Sequence, residues 1–140
     1  MPKNVKWVMA FESAIDTDVA AAGDPISAIA TLEGAPRGQG SGDRVTGRIV
    51  RMIHQGSVVY IGIAFDTFYQ KGVASPFYAE RSNEPGESVV TETLLERSKL
   101  TGHGMANWPF GILKFSKKAN EPLIVPTGYR SHWVTVKPPQ

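Results

Sequence analysis

Short apolar runs, many of them alternating with polar residues and bounded by glycine or proline, dominate this chain. Alternation with a period of two puts successive side chains on opposite faces of a strand, and stripes at helical spacing are scarce. Lys6–Phe11, rich in Trp and Val, predicts a first strand. Ala20-Ala21-Ala22-Gly23-Asp24-Pro25 then breaks the chain, because proline disfavours a helical residue before it and glycine permits a turn. Residues 26–32 set Ile26, Ala28, Ala30 and Leu32 against Ser27, Ile29 and Thr31, a strand with one mostly apolar face. Residues 33–43 hold four glycines and a proline and read as a loop.

The best local signal is a hairpin. Residues 44–54 and 57–68 are β-rich, and Gln55-Gly56 between them fits a two-residue turn. With His54 facing Ser57, Met52 pairs with Val59, Val50 with Ile61, Arg48 with Ile63 and Thr46 with Phe65. One face then carries Met52, Val50, Val59, Ile61, Ile63 and Phe65. The other carries Ile53, Ile49, Val45, Val58 and Ala64, with Arg51 opposite Tyr60. Two largely apolar faces need cover on both sides, which places this hairpin at the centre of the fold.

Further on, 77–80 reads as a short strand, 82–88 as a Pro/Gly loop, and 89–100 leans to strand on its Val-Val-Thr-Glu-Thr. Residues 111–115, 123–125 and 132–136 predict closing strands, with Pro126-Thr127-Gly128 turning between the last two. No fixed-period repeat is visible. The expectation is one domain over 1–140, all-β, a small barrel or sandwich of mostly antiparallel strands around the 44–68 hairpin.

Composition narrows the function classes. The chain has 140 residues, 14 Gly and 10 Pro, which agrees with many turns, and no apolar run long enough for a membrane-spanning helix. Without cysteine there is no disulfide and no thiol chemistry, and the redox compartment stays open. The net charge of +2 does not by itself mark a polyanion partner, but the distribution is uneven. Residues 96–140 carry seven basic and two acidic side chains. Met1-Pro2-Lys3-Asn4 lack the apolar core of a signal peptide, so the protein is expected to be cytoplasmic, or periplasmic or exported if a signal was removed.

Catalytic patterns are absent from the sequence. His54, His103 and His132 have no zinc-ligand spacing, and serine occurs in no nucleophile elbow. Asp16-Thr17-Asp18 with Asp24 fits a turn binding its own amides better than a calcium loop. Gly38, Gly40 and Gly42 lack the Lys and helix of a phosphate loop. Carboxylates such as Asp66 and Glu80 become an acid–base pair only if folding brings them together. The expectation is therefore no enzyme and no cofactor. For binding, the candidates are Lys114, Lys117 and Arg130 with Trp108, Tyr129 and Trp133, basic and aromatic residues suited to an acidic glycan or nucleic acid, although aromatics in a small β domain are more often core. In the hairpin Arg44 and Arg48 share one face and Arg51 takes the other, which spoils an arginine stripe.

A resemblance adds to this reading. Ala20-Ala-Ala-Gly-Asp-Pro-Ile-Ser-Ala-Ile29, Arg44-Val-Thr-Gly-Arg-Ile-Val50, Val59-Tyr-Ile-Gly-Ile-Ala-Phe65 and Pro126-Thr-Gly-Tyr-Arg-Ser-His-Trp-Val-Thr135 together span most of the chain. They resemble a β domain of uncharacterised bacterial envelope proteins. The pattern is also distantly similar to the β-barrel domain of conjugation-type secretion-channel subunits, which carry Pro-x-Gly where this chain has Gly40-Ser-Gly-Asp43. The resemblance implies a non-enzymatic binding or assembly module of the cell envelope, with a protein partner or self-association. Gly23 and Gly128 are expected at positive φ, and Gly47 and Gly62 where strands coil or a ring packs close.

Overall fold

The computed structural model describes residues 3–34, 42–82 and 108–138, and among them there is no helix. Ten strands form: β1 (Lys6–Phe11), β2 (Ile15–Asp16), β3 (Pro25–Leu32), β4 (Asp43–Gln55), β5 (Val58–Gln70), β6 (Val73–Pro76), β7 (Ala79–Arg81), β8 (Gly111–Ser116), β9 (Ile124–Val125) and β10 (Arg130–Thr135). Eight of them make one antiparallel sheet in the order β6-β5-β4-β3-β1-β10-β7, with β8 also on β5, and the sheet curls into a half-barrel. β2 and β9 pair separately. The long β5 takes β8 along its first half and β6 along its second. The expected segment 89–100 lies outside the described residues.

The core lies inside the curl. Trp7, Met9, Phe11, Ile49, Ile61, Ile63, Phe65, Phe68, Phe77, Leu113 and Trp133 are all buried in one cluster. β3 behaves as its alternation requires, with Ile26, Ala28 and Ala30 buried, while Leu32 at its end is exposed. The outer face of the hairpin has its own cover, since Val50 and Ala64 pack with Phe110 and Ile112, with Trp108, Ile53 and Tyr60 at the margin. Cover on both faces is what the sequence required of a central hairpin. Between β7 and β8 a side chain closes the gap: Arg81 donates from Nε to the His132 carbonyl and from Nη1 to the Ile112 carbonyl, each at 3.1 Å. Gly111, at the start of β8, lets this happen, because a Cβ there would sit 2.5 Å from the Trp133 ring and 2.6 Å from Arg81 Cγ.

The hairpin register differs from expectation by two residues. Gln55 faces Val58, so the turn is Gly56-Ser57 rather than Gln55-Gly56, and Met52 faces Ile61. Gly56 has φ +58°, and a type II′ turn wants glycine at its first central position, which decides the slide. A shift of two preserves the faces, so Val59, Ile61, Ile63 and Phe65 still point inward. A bulge at Val50 does not preserve them. It sends Val50 to the outer cluster and brings Ile49 and Val45 into the main core, reversing the expected placement of all three. Arg51 faces Gly62, and Tyr60 faces Ile53. The β5–β6 hairpin was not legible, because Lys71-Gly72, at φ +50° and +79°, is not a strong turn signal.

Candidate functional site

Where the chain leaving β1 passes the start of β3, a cleft of about 480 Å³ opens. It is lined by Phe11, Ser13, Ala14 and Ile15, by Pro25, Ile26 and Ser27 of β3, by Thr46, Gly47 and Arg48 of β4, and by Asp66 of β5. A smaller hollow of about 220 Å³ shares Ala14, Ile15, Pro25 and Ile26 with it and adds Asp16, Val19, Ala20, Asp24 and Ile49.

A second bulge places Asp66 there. Phe65 pairs with Gly47 and Thr67 with Thr46, so Asp66 is the extra residue. The insertion lets Phe65 and Phe68, three apart, both point into the core while Asp66 lines the cleft. Its Oδ1 accepts a 2.6 Å bond from the Thr67 hydroxyl, and its carbonyl accepts the Phe77 N–H at 2.9 Å. Gly47 is the residue that permits the bulge, since a Cβ there would collide with the Ala64 carbonyl oxygen and lie 2.7 Å from Phe65 Cα. Among the described residues the Arg48 guanidinium has no hydrogen-bond or ion-pair partner, and it does not pair with Asp66.

Beside the cleft, Arg44 grips Glu12 with a fork, Nε to Oε1 at 2.8 Å and Nη2 to Oε2 at 3.0 Å, and the Ser27 hydroxyl also donates to Glu12 Oε1. The Arg44 hydrogen bonds, and after them the Ser27 hydroxyl, hold the Glu12 carboxyl below its usual pKa, and Glu12 in turn raises that of Arg44. A lowered carboxylate pKa contributes stability that is full above the unfolded value, about 4.3, and lost as pH falls through the folded value. Glu12→Gln is therefore expected to be less stable than the parent at pH 7, with the difference shrinking as the pH falls through the folded value, which denaturant melts over a series of acidic pH values test. The effect is small, because the Arg44 side chain is 58% exposed.

The six binding candidates do not form one surface. Trp133 is fully buried, edge-on to Phe65 with ring centroids 4.9 Å apart, and offers no face to a ligand. Its sequence position in a period-two strand is that of a core residue. Tyr129 is half-buried between Phe11 and Phe115. Trp108 stacks on Tyr78 at 4.6 Å and points its indole N–H at the Phe65 and Phe77 carbonyls. Lys114 is exposed opposite Tyr60, Lys117 pairs with Asp18 at 3.2 Å, and Arg130 is exposed on β10 opposite Ala10.

Other expectations resolve locally. The bulge at Val50 brings Arg51 to the outer face that Arg44 and Arg48 occupy, against the expected parity. Asp16 and Asp24 do bind nearby amides, of Asp18 at 3.0 Å and Ala21 at 2.9 Å. Gly23 and Gly128 have φ +100° and +85°, as expected. Glu80 faces Val134 on β10 and does not line the cleft that holds Asp66. His54 lies exposed near the hairpin turn, and His132 Nδ1 is 3.5 Å from Glu33. His103, Gly38 and Gly40 lie outside the described residues. Among those described, no three His, Cys, Asp or Glu side chains gather to hold a metal, and no helix is long and apolar enough to cross a membrane. Sequence reasoning missed the cleft, and the one signal for it was Gly47 inside a strand pattern. No family model, no curated protein and no solved structure matches the chain.

Proposed function

We propose that this chain is a non-enzymatic binding module whose site is the cleft between residues 11–15 and the β3–β4–β5 wall. The observation that carries the reading is the bulge, which brings Asp66 into the same concave lining as Arg48, a guanidinium with no hydrogen-bond or ion-pair partner among the described residues. Bulges recur where a strand must re-aim a side chain toward a site, and paired strands hold such groups more rigidly than loops do. Titrating ¹⁵N-labelled protein with a cocktail of small polar fragments is expected to move amide signals of residues 11–15, 25–27, 46–48 and 66. Shifts spread evenly over the surface would overturn the reading.

An assembly role, of the kind the envelope resemblance implies, has a separate support. β3 covers β4 only as far as Arg48, and among the described residues β4 beyond Ile49 has β5 as its sole partner strand. An open edge takes a strand from another chain. Two copies paired antiparallel about Ile53 would set Arg51 against Gln55 and Met52 against His54, with no like charges opposed. Light scattering over a range of concentrations is expected to show a dimer, weakened by His54→Pro, whose lost amide faces the open edge. A strict monomer removes this second reading.

A further inference from the structure

Taking the cleft as the binding site, we infer that its ligand is a small zwitterion, with a carboxylate for Arg48, an ammonium for Asp66 and a short aliphatic group. The inference rests on which charges in this region are already satisfied. Arg44, on the same face of β4, has its charge paired with Glu12 through two hydrogen bonds. Arg48, four residues on, has no such partner among the described residues and lines the cleft instead. Its planar fork of donors suits a carboxylate. Asp66 has one oxygen engaged by Thr67 and accepts only, so its other oxygen suits a donor carrying positive charge. A ligand with one charge would satisfy one of these groups and face the like charge of the other. A zwitterion satisfies both.

The rest of the lining refines the class. The Ser27 proton is committed to Glu12, which leaves the Ser13 and Thr46 hydroxyls for further polar groups. The adjoining hollow has Ile15, Ile26 and Ile49 buried in its lining and exposes Val19, the apolar side chain that an aliphatic group would meet, beside the Asp16 and Asp24 carboxylates, each of which accepts a backbone N–H. The single aromatic residue in the cleft, Phe11, is 2% exposed and gives a sugar no ring face to stack on. An amino acid or a short peptide with free termini has the required chemistry.

The test uses four probes on the whole chain: leucine, glycyl-leucine, N-acetyl-leucine and leucine amide, followed by amide shifts and calorimetry. Leucine or glycyl-leucine is expected to bind in the cleft, and the tighter of the two identifies free amino acid or peptide. Blocking either charged group of leucine is expected to weaken binding by about tenfold or more, the scale of one charge-assisted hydrogen bond. Arg48→Ala is expected to abolish the difference between leucine and its amide, and Asp66→Asn that between leucine and N-acetyl-leucine. Both positions are on the surface side of the sheet, so retention of the parent amide spectrum elsewhere verifies the fold. Equal binding of blocked and free probes overturns the zwitterion class while leaving the cleft as a site. So does a cleft that answers the fragment cocktail but none of these probes. Silence of the cleft toward the probes and the cocktail alike overturns both.

Discussion

Trp133→Ala is expected to lower stability by about 3–5 kcal/mol, the usual cost of emptying a large aromatic site in a core. For a domain of this size, with a typical margin of about 5–15 kcal/mol, that is a substantial part of the whole. Trp133 is fully buried, meets Phe65 edge-on at 76°, and donates its indole N–H to the buried Ser131 hydroxyl at 2.8 Å. Its removal leaves a void and an unpaired hydroxyl together. The ring also fills the space that Gly111 leaves open, so the loss reaches the β8 edge that Arg81 tethers. A urea melt gives the value, and an unchanged slope would show that the denatured state is not the cause. Trp133→Phe keeps most of the packing and is expected to cost less. A cost below about 1 kcal/mol for the alanine variant would contradict the placement of Trp133 in the core.

Gly47→Ala is the second large effect, expected at about 1–3 kcal/mol, the range for forcing extra volume into a packed site. The atoms in the way are the Ala64 carbonyl oxygen and, at 2.7 Å, Phe65 Cα, all backbone, so no side chain can swing aside. The β4–β5 pair must part at the bulge, which moves Asp66 and Phe65. The same substitution at Gly62 is an internal control, because the nearest atom there is Arg51 Cβ at 3.1 Å. Gly62→Ala is expected to cost clearly less, although both glycines lie in strands with ordinary φ. Amide shifts should confirm the mechanism, with residues 46–48 and 66 moving in the Gly47 variant and staying in place in the Gly62 variant. Equal costs at the two positions would show that the close approach at the bulge is not what selects glycine.

These two positions divide what was legible from what was not. Trp133 sits in a run whose alternation marks it as inward-facing, yet the basic and aromatic residues around it also read as a binding surface. Burial decides between the two, and burial depends on β1 and β7 flanking β10, pairings with partners far away in the chain. Gly47 and Gly62 look alike in sequence, two glycines in β-rich runs. Only the register separates them, and the register is set by two bulges and by Gly56 choosing the first turn position.

The amino-acid order by itself determined the β class, β1 at its observed bounds, the inward set on β3, the turn at Gly128 and the need for cover on both faces of the hairpin. These follow from side-chain alternation and turn chemistry, which act over a few residues. The tertiary structure alone decided that Val50 turns outward, that Asp66 enters a cleft beside Arg48, and that Arg81 closes β7 against β8. A bulge or a closing contact is settled by the packing of whole strands against one another. A one-residue insertion in the pairing reverses every face beyond it, and no local pattern records where it falls.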